Sequence, residues 1–359
     1  MKIVVACGGT GGHSFPGIAV AKELRSRGHE VTVWSAGRDI EQSVMKSWDG
    51  KVFSTKARQL KPKYVFAILA SYLRCVQAMK REKPDVVLAM GSYASLPPVL
   101  AARHYDIPVV LHEANTVPGK AVEFLSRYAK TVAISFEMTA KHLPRATTVL
   151  TGLPIRNEIA AGNRFDFIPA NSFTVFVTGG SQGAHAVNML ASTAICMAGR
   201  ELARLQDSKR PLYVIHQTGA ADEAMVMARY AEAGIPARVH AFEREMPDAF
   251  ASADLVIARA GASTCFELAA CGKPAMFIPL PSAMRNHQHF NADSFVSHGA
   301  ADEGQQSILS AVALSRYILR ARENPARLAA MGEKILKLAT PDAAKRVADL
   351  VEANARQPA

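Results

Sequence analysis

The chain lacks most of what marks a secreted, metal-bound or membrane-spanning protein. Its five cysteines, Cys7, Cys75, Cys196, Cys265 and Cys271, stand singly, in an odd number, at spacings that match neither a zinc site nor a paired disulfide framework. A reducing compartment is the expectation. No apolar run approaches the roughly 18 to 20 residues that cross a bilayer, and the longest candidate, Tyr64 to Leu73, is closed by Arg74. The opening Met1-Lys2-Ile3-Val4-Val5-Ala6-Cys7 runs straight into glycines and reads as a buried strand, without the apolar region and cleavage site of a signal peptide. The protein is expected inside the cell. Zinc-finger spacing, an RNP-like aromatic motif and a basic helix with heptads are all missing, and the basic residues are scattered. The formal charge of +11 therefore points to anionic lipid or phosphorylated small molecules and away from nucleic acid. Also missing are a Gly-Lys-Ser/Thr P-loop ending, a complete G-x-G-x-x-G fingerprint and an Asp-x-Asp pair. Neither a metal nor a cofactor is implied.

What is present is enough apolar residue, 49% of 359, to fill two cores. Short β-branched runs alternate with longer helical stretches: Ile3 to Cys7, Glu30 to Trp34, Asp85 to Met90, Pro108 to His112, Thr131 to Ile134 and Thr147 to Leu150. This is the rhythm of a parallel sheet covered by helices. After Gly152 a stretch rich in Pro, Asn and Gly intervenes, and the rhythm restarts at Thr174 to Thr178, Leu212 to His216, Ala237 to His240, Leu255 to Ala258 and Ala275 to Ile278. The fold class is α/β, with two doubly wound Rossmann-like domains expected to face a cleft. The boundary falls near residues 155 to 170, giving domains at 1–160 and 161–340. From Ser307 the pattern is helical with a break at Pro341, and 341–359 is expected to be a helix packing back on the first domain.

Each half opens with a glycine turn between a buried strand and a helix, Gly8-Gly9-Thr10-Gly11-Gly12 and Gly179-Gly180-Ser181-Gln182-Gly183. Such turns bring backbone N–H groups and a helix dipole close to a phosphate, although glycines also serve plain tight packing. A pair of them suits one diphosphate ligand per half, a donor and an acceptor. A third turn, Arg259-Ala260-Gly261-Ala262-Ser263-Thr264, leads into a helix carrying Glu267, a carboxylate able to accept from two ribose hydroxyls. Alone, Glu267 reads as an ordinary solvated helix residue; the polar cluster from Pro279 to Ala292, straight after a buried strand, raises it.

These motifs carry a resemblance. GGTGGHSFPG (8–17), GSYASLP (91–97), HEAN (112–115), GLPIR (152–156), GGSQGA (179–184), RAGASTCFE (259–267) and NHQHFNA (286–292) occur in the order and spacing of the MurG family. The chain resembles these family-28 N-acetylglucosaminyltransferases of bacterial peptidoglycan synthesis over essentially its whole length. The resemblance implies a GT-B fold, inverting transfer from UDP-N-acetylglucosamine to an undecaprenyl-linked lipid acceptor, no required metal, and attachment to the cytoplasmic face of the membrane. It implies donor contacts at Arg156, Ser181, Gln182, Glu267, Gln288 and Asn291, with Glu267 on the ribose, Ser181 and the Gly179 to Gly183 amides on the diphosphate, and Gln288 and Asn291 on the sugar. Thr10, Gly11, Gly12 and His13 would face the acceptor diphosphate. Three positions depart from the family pattern: Ser92 replaces a usual glycine, Ala114 a glutamine and Ala260 a serine.

The transfer needs a base for the attacking hydroxyl and stabilisation of the leaving diphosphate. His13 is the candidate base, the alternative being that its ring merely orders the loop; Glu113 and Asn115 are candidates for orienting the acceptor. An anionic membrane surface is expected to meet Lys61 to Arg74, where basic residues flank an apolar, helix-compatible stretch.

Overall fold

The computed structural model describes every residue except Thr10, 38–44, Lys46, 60–61 and 357–359. The strands are β1 (Lys2–Ala6), β2 (Glu30–Ser35), β3 (Lys51–Ser54), β4 (Val86–Ala89), β5 (Val109–Glu113), β6 (Thr131–Ile134), β7 (Thr148–Leu150), β8 (Phe173–Thr178), β9 (Leu212–Gln217), β10 (Ala237–His240), β11 (Leu255–Ala258), β12 (Ala275–Phe277) and β13 (Asp302–Glu303). The helices are α1 (Gly11–Ser26), α2 (Val65–Glu82), α3 (Leu96–His104), α4 (Lys120–Leu125), α5 (Thr139–His142), α6 (His185–Arg204), α7 (Glu223–Glu232), α8 (Met246–Ser252), α9 (Ala262–Ala270), α10 (His287–Val296), α11 (Ala311–Glu323), α12 (Pro325–Leu336) and α13 (Ala343–Asn354). Two compact units result: unit 1 is Met1–Arg156 with Thr340–Ala359, and unit 2 is Asn157–Ala339.

Unit 1 is a seven-stranded sheet in the order β3-β2-β1-β4-β5-β6-β7, every neighbouring pair parallel. Its central strands are buried on both faces, and the two-residue pleat sorts their side chains. Ile3, Val5, Val86 and Leu88 join Ile18, Ala21 and Leu24 of α1 on one face. Val4, Ala6, Val87 and Ala89 join Cys75, Ala78 and Met79 of α2 on the other. The C-terminal α13 completes the first face with Val347, Ala348 and Val351, all fully buried. Burial of one valine stabilises by about 1.5–3 kcal/mol. Arg27 at the end of α1 pins this helix through Asp349 (2.6 Å) and Glu352 (2.9 Å).

Unit 2 repeats the plan with six parallel strands, β10-β9-β8-β11-β12-β13. Phe173, Val175 and Val177 of β8 meet Val187, Ala191 and Ile195 of α6 and Leu314 and Ile318 of α11. Both units are thus the doubly wound α/β sheets that the alternating pattern predicts. Two strands escape that pattern. β3 is a half-exposed edge, Lys-Val-Phe-Ser, and β13 is only Asp302-Glu303, so neither shows a buried apolar run.

Candidate functional site

Open parallel sheets bind ligands outside the carboxyl ends of their strands, where the strand order reverses. In unit 1 the order reverses between β1 and β4, and in unit 2 between β8 and β11. The glycine turns of the sequence leave β1 and β8, on one side of each reversal.

In unit 1 the chain turns from β1 into α1 through Gly8 and Gly9. Thr10 lies outside the described residues, and Gly11 and Gly12 open the helix. The helix docks against the strand end because Gly17 has no side chain: a Cβ there would lie 2.2 Å from Cys7 Cβ. His13, half-buried, places Nδ1 at 2.9 Å from the Met90 carbonyl at the end of β4. A carbonyl only accepts, so Nδ1 carries a hydrogen and donates it. Ser92, in the turn after β4, donates to Gly8 O (2.7 Å) and accepts from Ala94 N (3.1 Å), tying the β1 and β4 turns together. It does so at φ 64° and ψ 173°, a backbone region that glycine alone adopts freely.

The turn after β5 closes around Glu113. Its Oε1 accepts from Asn115 N (2.9 Å) and Asn115 Nδ2 (3.2 Å), and its Oε2 from Gly119 N (3.0 Å). The carboxyl is buried, which pushes its pKa up against the pull of those hydrogen bonds. The neighbouring Ala114 is also buried. Both Glu113 oxygens are thus engaged by the loop they close, through 115 and 119. His112 is wholly buried with Nε2 3.3 Å from Gly152 O, and burial lowers its pKa to about 4. Arg156, at the end of unit 1, lays its guanidinium 5.1 Å from the Phe15 ring centroid on α1.

In unit 2 the turn from β8 to α6 exposes Ser181 and Gln182. Gly183 has φ +72°, and a Cβ on it would lie 1.9 Å from Thr218 O, so the turns after β8 and β9 touch backbone to backbone. Gln217, at the end of β9, donates from Nε2 to Gly180 O at 2.7 Å and fixes the turn from behind. The first turn of α6 carries no acidic residue of its own. After β11, Gly261 caps α9, and Glu267 is half-buried on that helix. Gln288 accepts from Leu280 N through Oε1 (2.9 Å), holding the start of the loop between β12 and α10. Arg259 is buried and bonds Ile278 O and Pro279 O (both 2.9 Å) and Gln306 Oε1 (2.6 Å). Burial lowers its pKa. Arg285 and Asn286 take left-handed φ values of 54° and 55° just before α10.

Asn291 is fully buried, and its Nδ2 donates to Ala260 O at 3.1 Å, which ties α10 to the turn after β11. His13, in the first turn of α1, and Ser92 and Asn115, on turns, thus follow the adjacent strands β1, β4 and β5, and Ser181, Gln182, Glu267 and Gln288 stand on segments following adjacent strands β8, β11 and β12. Sequence reasoning missed Gln217 and the bracing by Arg259. The signal was there for Gln217, a polar residue ending the otherwise apolar Leu212–Gln217.

Among the described residues no group of three or more His, Cys, Asp or Glu is arranged to hold a metal, and no helix is long and apolar enough to cross a membrane. Lys61 lies outside the described residues. Helix α2 nonetheless presents Val65 (57% exposed), Phe66 (87%), Leu69 (52%) and Leu73 (50%) to solvent. Spacing of four residues puts Val65, Leu69 and Leu73 on one helical face. The core takes Ser71, Cys75, Ala78 and Met79.

Two family profiles match the chain: the glycosyltransferase family 28 N-terminal domain over residues 3–134 and the family 28 C-terminal domain over residues 174–347. Curated relatives named UDP-N-acetylglucosamine--N-acetylmuramyl-(pentapeptide) pyrophosphoryl-undecaprenol N-acetylglucosamine transferase are similar over nearly their full length. The one from Geobacter metallireducens is 39% identical, covering 97% of both chains, and that from Myxococcus xanthus is 36% identical, covering 98% of this chain and 92% of the relative. The crystal structure of MurG from Acinetobacter baumannii superposes with a TM-score of 0.78 at 32% identity, over 98% of this chain and 99% of that one. A UDP-GlcNAc 2-epimerase from Neisseria meningitidis shares the fold alone, with a TM-score of 0.71 at 14% identity over 99% and 100% of the chains.

Proposed function

The chain belongs to glycosyltransferase family 28, and from that premise we propose that it transfers N-acetylglucosamine from UDP-GlcNAc to undecaprenyl-diphospho-N-acetylmuramoyl-pentapeptide. This is the lipid I to lipid II step of peptidoglycan synthesis. The acceptor's C4 hydroxyl attacks the anomeric carbon with inversion, and UDP leaves. The observation that carries the reading is full-length similarity to enzymes named for this transfer, joined to a glycine turn at the strand-order reversal of each unit.

The roles follow from the chemistry of each half. Unit 2 takes the donor: Glu267 accepts from the ribose hydroxyls, the amides of 179–183 with Ser181 and Gln182 carry the diphosphate, and Gln288 orients the sugar. Unit 1 takes the acceptor, its diphosphate against 8–13. His13 is the base, and its ring orientation, fixed by the Met90 carbonyl that accepts from Nδ1, supports the reading. Asn115, held by Glu113, orients the acceptor. Arg156 supplies positive charge to the donor diphosphate. Helix amides, hydroxyls and arginine thus meet the charge of the leaving group without a divalent ion.

The acceptor's lipid stays in the bilayer, so the enzyme works peripherally, at the cytoplasmic face of the plasma membrane. The exposed face of α2, with Lys63 beside it, is the contact. Phe66→Glu with Leu69→Glu abolishes co-sedimentation with anionic vesicles in a protein that keeps its circular dichroism; undiminished sedimentation rejects the contact. The activity itself is tested by incubating labelled UDP-GlcNAc with a short-chain lipid acceptor in competition with other sugar nucleotides. Formation of the disaccharide lipid with preference for UDP-GlcNAc is expected, and release of free sugar without lipid product rejects the reading.

A further inference from the structure

His185 opens α6 directly after the 179–184 turn, and nothing above gives it a task. Its Nδ1 stands 2.8 Å from Asp222 Oδ1. An ionised carboxylate only accepts, so Nδ1 carries a hydrogen and Nε2 sits on the opposite edge of the ring. The His185 side chain is 71% exposed, whereas that of Asp222 is 8% exposed.

Asp222 is built into the core side of this turn. Its Oδ2 accepts from Asn188 Nδ2 at 2.7 Å, and the same amide donates to Thr218 O at 2.7 Å. Asn188 Oδ1 lies 3.1 Å from His216 Nε2, and His216 Nδ1 lies 2.9 Å from the Tyr230 hydroxyl. A continuous polar chain therefore runs from the buried Tyr230 to the exposed His185. Burial pushes the Asp222 carboxyl up, but hydrogen bonds from His185 and Asn188 outweigh it and leave the group below its ordinary range.

The position of this pair gives it meaning. The 218–222 segment lies against the phosphate turn: a Cβ on Gly219 would sit 2.4 Å from Gln182 O, just as one on Gly183 would sit 1.9 Å from Thr218 O. An ionised carboxylate so close to a diphosphate site repels the ligand unless a cation covers it. A protonated His185 covers it and, at Nε2, offers a second charged donor on the outer edge of the ring.

We propose that His185, clamped by Asp222, donates a charged hydrogen bond from Nε2 to the diphosphate of the bound sugar nucleotide and stabilises the nucleoside diphosphate as it leaves. In the transfer step the bond from the anomeric carbon to the β-phosphate oxygen breaks with its electron pair passing to that oxygen. The acceptor oxygen forms the new bond and its proton passes to His13. His185 transfers no proton; it meets charge that grows on the departing phosphate. The inference rests on the reading that 179–183 holds the donor diphosphate.

Calorimetric binding of UDP and of uridine to the wild type, His185→Gln, His185→Arg and Glu267→Ala tests it. His185→Gln keeps a neutral donor for Asp222 and loses the charge, so UDP should bind about tenfold more weakly, as loss of a charge-assisted hydrogen bond predicts, while uridine affinity stays unchanged. His185→Arg should recover most of the UDP affinity, and kcat at saturating donor should follow the same order. UDP affinity of His185→Gln within about twofold of wild type, or equal losses for UDP and uridine, overturns the proposal. If the wild type binds UDP no better than uridine, or Glu267→Ala leaves uridine affinity intact, the donor-site reading beneath it falls too.

Discussion

Units 1 and 2 share a strand plan, yet they brace the turns after their strands in opposite ways, one with a buried carboxyl that accepts and the other with a buried guanidinium that donates. In unit 1 the buried Glu113 carboxylate gathers the backbone N–H groups of 115 and 119. In unit 2 the buried Arg259 guanidinium gathers the backbone carbonyls of 278 and 279. A carboxylate brace uses up amide donors, whereas a guanidinium brace uses up carbonyls and adds positive potential. The brace of unit 2 therefore adds positive potential beside its turns, while in our reading unit 1 supplies the base, His13, whose ring is oriented by the Met90 carbonyl.

The sharpest way to break that contrast is to remove the imidazole. His13→Ala should lower kcat by roughly 10²- to 10⁴-fold, the range of a lost general base, with the Kd for UDP unchanged by calorimetry. Loss of UDP binding with turnover intact would sink the assignment and would move His13 to the donor's side of the contrast.

Next in size is Glu267→Ala. Two hydroxyl hydrogen bonds to a carboxylate are each worth about 1.5–3 kcal/mol, so the KM for UDP-GlcNAc should rise by at least roughly tenfold. The KM for the lipid acceptor should not move. A parallel rise in both constants would mean that Glu267 supports the fold of unit 2 and does not touch donor.

Much of this contrast is legible in the sequence, and the missing part has a physical reason. β-branched runs locate the buried strands because burial on both faces demands them, and a glycine turn after such a strand locates the ligand end of the sheet. Edge strands β3 and β13 are under no such demand and leave no pattern. Among site residues, the family resemblance brings forward Asn291, and Glu113 comes forward as a candidate for orienting the acceptor, but neither reading reveals which way the side chain faces. Glu113 turns to its own loop and Asn291 to Ala260 O, directions set by tertiary contacts that no local pattern records. Gln217, Arg259 and Asp222 escape for the same reason: each acts on a turn remote in sequence.

Acid should separate the two units more gently. His112 in unit 1 and His216 in unit 2 are buried neutral, with burial pushing their pKa values to about 4 and about 3. Folded values below the unfolded value of about 6.5 mean that protonation favours the unfolded chain. The contribution of each is intact above about pH 6.5 and is lost as pH falls toward its folded value, at about 1.4 kcal/mol per pH unit. Denaturant midpoints taken from pH 7 to pH 4 should fall, and His112→Gln should flatten the fall. An unchanged slope in His112→Gln would show that carboxylates alone govern acid unfolding.

The smallest effect is expected at Ser92, where two terms oppose each other. Its backbone, at φ 64° and ψ 173°, costs about 1–3 kcal/mol for a residue with a side chain. Its hydroxyl offsets this by donating to Gly8 O and accepting from Ala94 N, each bond contributing about 0.5–1.5 kcal/mol. Ser92→Gly removes both terms together, so unfolding free energy should shift by less than about 1 kcal/mol. Activity should show what stability hides, because the hydroxyl tethers the β1 turn that carries the acceptor diphosphate in our reading. The KM for the lipid acceptor should rise a few-fold with the KM for UDP-GlcNAc constant. A change confined to the donor constant would instead mean that the contrast between the two units is drawn in the wrong place.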